Sequence, residues 1–492
     1  MTRVPSIRIR AANGAPVNRD GRLVLYWMTA HRRLTDNYAL QRAVEWANEL
    51  GKPLLLLEPL RVGYPWANER FHAFVLQGMA DHAAALAEGR VGYLPYVEPQ
   101  PGAGKGLLEA LARSAAVVVT DDYPAFFHPR MLEAAAGRLP VSLEAVDANG
   151  LLPLGAAPQE FGTAYQFRRF LHRALAEHLV DWPLADPLSA LEAPRFPGVD
   201  RAVTDRWPAA SADLLAAEPA ALAALPIDHG VPPAPLRGGS RAAREAAERF
   251  LVERLPHYAE RRNELGEPGT SGLSPYLHFG HLGAHTLFAG VAEAERWTPD
   301  ELRPEARGGR AGWGMGESAT AFVDQLVTWR ELGYNMCAFR SDYDRYDSLP
   351  EWARRTLAEH ARDPREYRYD LMEFEAAATH DELWNAAQRQ LAREGHVHNY
   401  LRMLWGKKIL EWSASPVEAL NTMVELNNKY ALDGRDPNSY SGIFWVLGRY
   451  DRAWGPERPV FGKVRYMSSQ NTARKLRVQP YLERYGAEAL PR

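Results

Sequence analysis

The chain has 492 residues, 58 of them Lys or Arg and 61 Asp or Glu, for a net charge of −3, with 46% apolar and 10% aromatic side chains. That content of large apolar residues excludes a disordered chain, the lack of any long apolar run excludes a membrane span of roughly 20 residues, and the near-neutral total excludes indiscriminate coating of nucleic acid. Cys337 is the only cysteine, so disulfides within the chain and CxxC zinc or iron–sulfur sites are excluded, and no metal centre is expected.

These features predict a soluble protein of the reducing cytoplasm. At roughly 150 residues per domain, the length allows two or three domains. The N-terminal MTRVPSIRIRAANGAPVNRDGR is basic without a signal-peptide core and reads as a short arm. Strand-type runs at 22–28, 54–57, 91–97, 116–120 and 141–145 alternate with helical stretches at 36–50, 69–88 and 107–114. This is the pattern of parallel βαβ units, and it predicts a five-stranded, doubly wound, Rossmann-like α/β domain over residues 20–150.

Such sheets bind ligands at the C-terminal ends of their strands, which marks Trp27, Met28, Asp121 and Asp122 as the rim. No GxGxxG follows the first strand. Gly102-Ala103-Gly104-Lys105-Gly106 looks like a phosphate loop but lacks the Ser/Thr after the lysine, and reads as a turn before a helix. Ten prolines between residues 183 and 235 mark 151–240 as an interdomain linker laid over the surface. Beyond it the pattern is helical throughout (241–260, 282–294, 318–336, 350–361, 380–394, 396–412, 416–430), giving an all-helical domain over 241–492. Its last segment, 401–492, carries 15 Lys/Arg against 9 Asp/Glu, a basic face open to a phosphate-bearing partner.

Three constellations carry chemistry in that half. Thr270-Ser271-Gly272-Leu273-Ser274-Pro275 sets hydroxyls and backbone N–H groups at a helix start, either to grip phosphate oxygens or as an ordinary Ser-Pro cap. Trp384, Trp405 and Trp412 lie on helices, the last two seven residues and two turns apart, as core packing or as an electron path. Asn427 to Tyr440 crowds acids, an arginine and amides into a Gly/Pro turn, either solvated or lining a pocket for a polar heterocycle and a polyhydroxy chain.

Taken in order, LVLYWMTAHRRLTDNYAL, YAERRNELGEPGTSGLSPYLHFG, WREL with Asn335, HDELWNAAQ, YLRMLWGKKILEW, LDGRDPNSY and ERPVFGKVRYM span nearly the whole chain. Together they resemble the photolyase/cryptochrome family, most closely the class II cyclobutane pyrimidine dimer photolyases. The resemblance implies a flavoprotein lyase that holds FAD in the helical domain and uses light to transfer an electron to a pyrimidine dimer in DNA. By motif, Tyr258, Ser271, Gly272, Leu273 and Ser274 would hold the ribityl and diphosphate portion. Arg330, Arg402, Asn427, Asp433 and Asp436 would surround the ring and adenine end, with Asn427 near the flavin N5. Arg262, Asn263, Trp329, Met403 and Trp445 would meet the extruded dimer, and Trp384, Trp405 and Trp412 would re-reduce the flavin.

One departure stands out. Where the family's FVEEL-like run places an acid toward the substrate, this chain reads Phe322-Val323-Asp324-Gln325-Leu326, so an amide at Gln325 replaces a charge and a proton donor. The resemblance therefore implies cyclobutane dimer repair, with a (6-4)-type or altered-lesion photolyase and a blue-light photoreceptor without repair as alternatives. The short stretch after the tail motif favours repair over signalling. It also implies a monomer, and leaves open an antenna chromophore of unspecified identity in the α/β domain.

Overall fold

The computed structural model describes residues 3–265, 269–302 and 312–487, so Gly266, Glu267 and Pro268 of the quoted run lie outside the described residues. The chain divides into two units that interleave along the sequence. One comprises residues 1–158, 174–248 and 273–293, and the other 159–173, 249–272 and 294–492.

The first unit is built on a six-stranded sheet: β1 (Ile9–Ala11), β2 (Leu23–Trp27), β3 (Leu54–Leu60), β4 (Gly92–Val97), β5 (Ala115–Asp121) and β6 (Leu143–Val146), in the order β1-β6-β5-β2-β3-β4. All neighbours are parallel except β1 on β6. The helices α1 (Tyr38–Leu50), α2 (Glu69–Ala85), α3 (Leu107–Ala112) and α4 (His128–Ala136) fall between the strands. Strand side chains alternate between faces. Val24, Tyr26, Leu54, Leu56, Val117 and Val119 pack with Ala39, Leu40, Ala43 and Val44 of α1 on one side. Leu25, Trp27, Leu55, Leu57 and Val118 pack with Leu111 of α3 and Leu132 of α4 on the other. The Asn37 side chain caps α1 by accepting from the Ala39 and Leu40 N–H groups, and Gly51, at φ 63°, ends it.

Three expectations change. The N-terminal segment is more than an arm, because Ile9–Ala11 pairs antiparallel with β6, Ile9 opposite Val146. A three-residue edge strand carries too little periodicity to be read from sequence. The rim assignment also shifts. Trp27 and Met28 are core residues, 5% and 0% exposed. Asp121 accepts from the Thr29, Ala30 and His31 N–H groups (2.7, 2.7 and 3.0 Å) and from the Tyr26 hydroxyl (2.7 Å), so at the β2/β5 switch point it holds its own loop in place. Asp122 is paired with Arg10 at 2.7 Å.

Residues 151–240 do more than connect. They form α5 (Ala164–His178), whose Phe167, Leu171 and Leu175 are buried, while Leu191, Ala193 and Trp207 fill the two faces of the sheet. Proline density excluded long helices there but not burial of the apolar residues between the prolines. The Gly102–Gly106 loop is a turn before α3, with Gly102 and Gly104 N–H groups donating to Glu98 Oε1 (2.7 and 3.2 Å). Its donors are met by the chain's own carboxylate.

The second unit is helical, with no named strand among its described residues. The helix α6 (Ser240–Arg249) lies in the first unit up to Glu248; the main helices of the second are α7 (Glu317–Val323), α8 (Arg330–Phe339), α9 (Glu382–Glu394), α10 (Asn399–Trp412), α11 (Pro416–Tyr430) and α12 (Pro437–Val446). Two expected helices are interrupted by wide π-turns, Phe250–Arg254 in one and Asp324–Trp329 between α7 and α8. Such turns insert one extra residue and occur often at functional sites. Among the described residues, no helix is long and apolar enough to cross a membrane.

Candidate active site in the helical unit

Close backbone approach assembles the polar wall of this unit. A Cβ at Gly434 would lie 2.7 Å from the Asn427 carbonyl oxygen, and one at Gly333 would lie 2.6 Å from that of Pro437, so small residues let α8, α11 and α12 meet around the LDGRDPNSY turn. Asp436 caps α12 by accepting from the Asn438 N–H at 2.8 Å. Its other oxygen accepts from the Tyr334 hydroxyl (3.3 Å), which accepts from Arg330 (3.0 Å), while the Arg330 guanidinium lies 4.5 Å over the Tyr334 ring. Arg402 on α10 bridges to Asp433 at 2.9 Å.

Asn427 is 2% exposed and donates from Nδ2 to Asn428 Oδ1 (3.2 Å) and Ser439 Oγ (2.8 Å). Both amide hydrogens are thereby committed, which leaves its carbonyl oxygen as an acceptor. Asn428 donates to the Tyr440 hydroxyl (3.1 Å) and accepts from the Arg435 N–H (3.0 Å). The structure thus brings Arg330, Asp436, Arg402, Asp433 and Asn427 onto three packed helices and their turn. Sequence reasoning missed Tyr334, Asn428 and Ser439, although Tyr334 falls four residues after Arg330, one turn along the same helix face.

The tryptophans form a file. Trp405 and Trp384 are stacked at 6.5 Å with 2° between their planes, and Trp384 meets Trp412 at 6.0 Å, edge to face. The seven-residue spacing predicted Trp405 and Trp412 in line on one helix; Trp384 from α9 stands between them in the sequence of contacts. All three are buried, at 2%, 0% and 3% exposure for Trp405, Trp384 and Trp412. Trp405 Nε1 donates to Gln388 Oε1 (2.9 Å) and Trp384 Nε1 to the Trp405 carbonyl (3.0 Å), fixing two of the indoles. The file continues from Trp412 to Tyr369 at 5.7 Å, and Tyr369 hydrogen-bonds His380 Nδ1 at 2.8 Å.

Trp329, Trp445, Met403, Gln325 and Arg262 are half-buried, and Asn263 is exposed. Trp445 has the Lys407 ammonium 6.0 Å and the Arg465 guanidinium 5.9 Å from its ring; Arg465 also lies 5.0 Å from Trp454, over which Arg452 sits at 4.5 Å. This alternation of cations and indoles, which sequence reasoning noted only as a local charge excess, suits phosphates and flat bases. Lys407 is 1% exposed and donates to the Val446 carbonyl at 2.5 Å; burial pulls its pKa down to about 7. The Gln325 side chain makes no hydrogen bond among the described residues, whereas Asp324 pairs with Arg168 at 3.0 Å.

The remaining predicted residues are more dispersed. Tyr258 packs edge-on against Phe250 and Phe322 (5.8 and 5.5 Å), with the Arg262 guanidinium 6.0 Å over its ring; burial raises its pKa. Ser271 and Gly272 belong to this unit, but Leu273 and Ser274 fall in the first. Gly272 has φ 70°, and a Cβ there would meet nothing within 4 Å. The helix Ser274–His278 begins after Leu273, whose apolar side chain makes no cap. Among the described residues, no group of three or more His, Cys, Asp or Glu is placed to hold a metal ion.

Residues 24–192 match the DNA photolyase family model. The chain is 35% identical over 480 residues to a deoxyribodipyrimidine photo-lyase of Methanothermobacter thermautotrophicus, covering 97% of each chain. It is 34% identical to one of Oryza sativa subsp. japonica, covering 94% of this chain and 87% of that one. In fold it matches a class III photolyase of Agrobacterium tumefaciens (TM-score 0.67, 15% identity, 94% of this chain and 86% of that one) and a Synechocystis cryptochrome (TM-score 0.66, 16% identity, 94% and 88%). With that identity over nearly its whole length, the chain belongs to the photolyase/cryptochrome family.

Proposed function

We propose that this protein is a light-driven DNA repair enzyme that holds reduced FAD in its helical unit and splits cyclobutane pyrimidine dimers. The observation that carries this reading is the buried Trp405–Trp384–Trp412 file in the same unit as the Asn427, Arg402 and Asp433 wall. The donor set fits the cofactor. A carbonyl oxygen left to accept at Asn427 suits a ring nitrogen that carries hydrogen, as in reduced isoalloxazine, and paired Arg and Asp side chains suit a ring edge that both donates and accepts.

When bound, reduced FAD supplies a photoexcitable electron donor. Asn427, Arg330, Arg402, Asp433 and Asp436 would hold its ring and adenine end, and Tyr258, Ser271 and Gly272 its ribityl and diphosphate portion. Trp384, Trp405 and Trp412 pass an electron inward over short, dry gaps. Trp329 and Trp445 offer faces to an extruded dimer, which is cheaper to flip than a stacked base. Met403 and Arg262 with Asn263 border the lesion, and Arg452 and Arg465 meet the DNA backbone.

Gln325 favours a second reading, an altered lesion preference, because an amide hydrogen-bonds a pyrimidine carbonyl without supplying a charge or an acidic proton. Both are tested by blue-light repair of two oligonucleotides, one with a cyclobutane thymine dimer and one with a (6-4) photoproduct, by the wild type and Gln325→Glu. Repair of the first by wild type is expected. Repair of only the second shifts the assignment to the altered-lesion reading, and repair of neither by either protein, with flavin bound, points to a photoreceptor.

A further inference from the structure

The π-turn at Asp324–Trp329 creates a contact that α-helical spacing would not align. In an α-helix residue i faces i+4, but here five residues separate the partners, and the wide turn brings the Trp329 indole N–H onto Asp324 Oδ2 at 3.1 Å. Asp324 is itself pinned from another helix. Arg168 on α5 donates to Oδ1 from Nε (3.2 Å) and Nη2 (3.0 Å), and to Oδ2 from Nη2 (3.1 Å). The Arg168 and Asp324 side chains are 19% and 20% exposed, shielded enough for a charge-assisted pair to hold its geometry.

One turn beyond Arg168, His172 is 2% exposed and edge-on to Trp313 at 5.2 Å. Burial and the nearby Arg168 charge push its pKa down to about 4, so it is neutral at working pH and adds no second cation beside Asp324. Both Asp324 oxygens are thus engaged, and the carboxylate is not the acid missing at Gln325.

We propose that Arg168 and Asp324 are positioning residues for lesion recognition, clamping the Trp329 indole by its N–H so that the ring face stays set for an extruded pyrimidine dimer. The inference rests on the reading of Trp329 as a stacking surface given above. A half-buried indole without such an anchor samples rotamers that must be frozen on binding; the clamp removes that entropy in advance.

The test uses the full chain carrying its flavin, in the dark. It measures affinity for an oligonucleotide with one cyclobutane thymine dimer and for the same oligonucleotide undamaged, along with the Trp329 indole N–H resonance. Asp324→Ala and Arg168→Met are each expected to weaken dimer binding about tenfold, to leave undamaged DNA within about twofold, and to displace the indole resonance. Asp324→Asn, which keeps an acceptor oxygen, is expected to recover part of the loss. Trp329→Phe is expected to weaken dimer binding as well, and adding Asp324→Ala to it to cost nothing further. Full dimer affinity in both Asp324→Ala and Arg168→Met, or additive losses in the double variant, overturns the clamp and leaves the site reading standing. Unchanged dimer affinity in Trp329→Phe overturns both.

Discussion

The two units bury polar side chains on different plans. In the α/β unit, carboxylates are enclosed by donors from the same chain. Glu58 is fully buried among Arg32 (2.9 Å), His82 (2.8 Å) and the Tyr93 hydroxyl (2.7 Å). Burial alone would raise its pKa, but His82 and Arg32 outweigh it and hold the group at about 2. Asp121 is likewise buried, and its pKa stays low because the His31 charge and three backbone N–H groups offset desolvation. In the helical unit, by contrast, amides, a file of indoles and Arg–Asp pairs end at half-buried aromatic faces. The strand-end rim that topology marks as a ligand site spends its acid on its own loop, while the groups left with something to offer lie among helices.

The largest expected effect breaks the helical side of the comparison. Trp405→Phe should lower the rate of flavin photoreduction by about two orders of magnitude or more while dark flavin binding persists, because it removes the indole stacked on Trp384. Transient absorption and flavin content check it, and unchanged photoreduction means the file is packing. On the α/β side, Arg32→Met leaves Glu58 short of a cation in the interior and should destabilise the protein by about 3–5 kcal/mol in denaturant melts, without changing that rate.

Acid sharpens the contrast further. His281 is buried and His128 half-buried in the α/β unit, with pKa values pushed down to about 3 and about 4 mainly by desolvation. Between those values and the ordinary value of 6.5 the unfolded chain binds more protons, so stability falls as pH drops below 6.5 and is flat in these groups above about 7. Each contributes a slope of up to about 1.4 kcal/mol per pH unit. Denaturant midpoints from pH 7.5 to 5 test this, and a flat profile contradicts it. At the small end, Arg201→Ala removes a pair 3.7 Å from Asp205 with side chains 92% and 68% exposed, and should move stability by no more than about 0.5 kcal/mol in the same melts.

Much of this was legible in the chain. Alternating apolar runs placed β2 to β6, and 3.6-residue periodicity placed helices such as Pro416–Tyr430 to the residue. The wall residues Arg330, Arg402, Asn427, Asp433 and Asp436 came from the family resemblance; the composition of the Gly/Pro turn alone left both a solvated loop and a lined pocket open. The short β1, the burial of 151–240 and both π-turns were not legible, since each is decided by tertiary packing. The Asp324–Trp329 contact follows from such a turn.

One measurement tests repair by the helical unit most directly: the fate of a single cyclobutane thymine dimer in an oligonucleotide mixed with the chemically reduced protein, compared in blue light and in darkness. The dimer is expected to revert to two thymines in light and to persist in the dark. Persistence in light, in protein that carries its reduced flavin and binds the oligonucleotide, would contradict the assignment of repair to the helical unit.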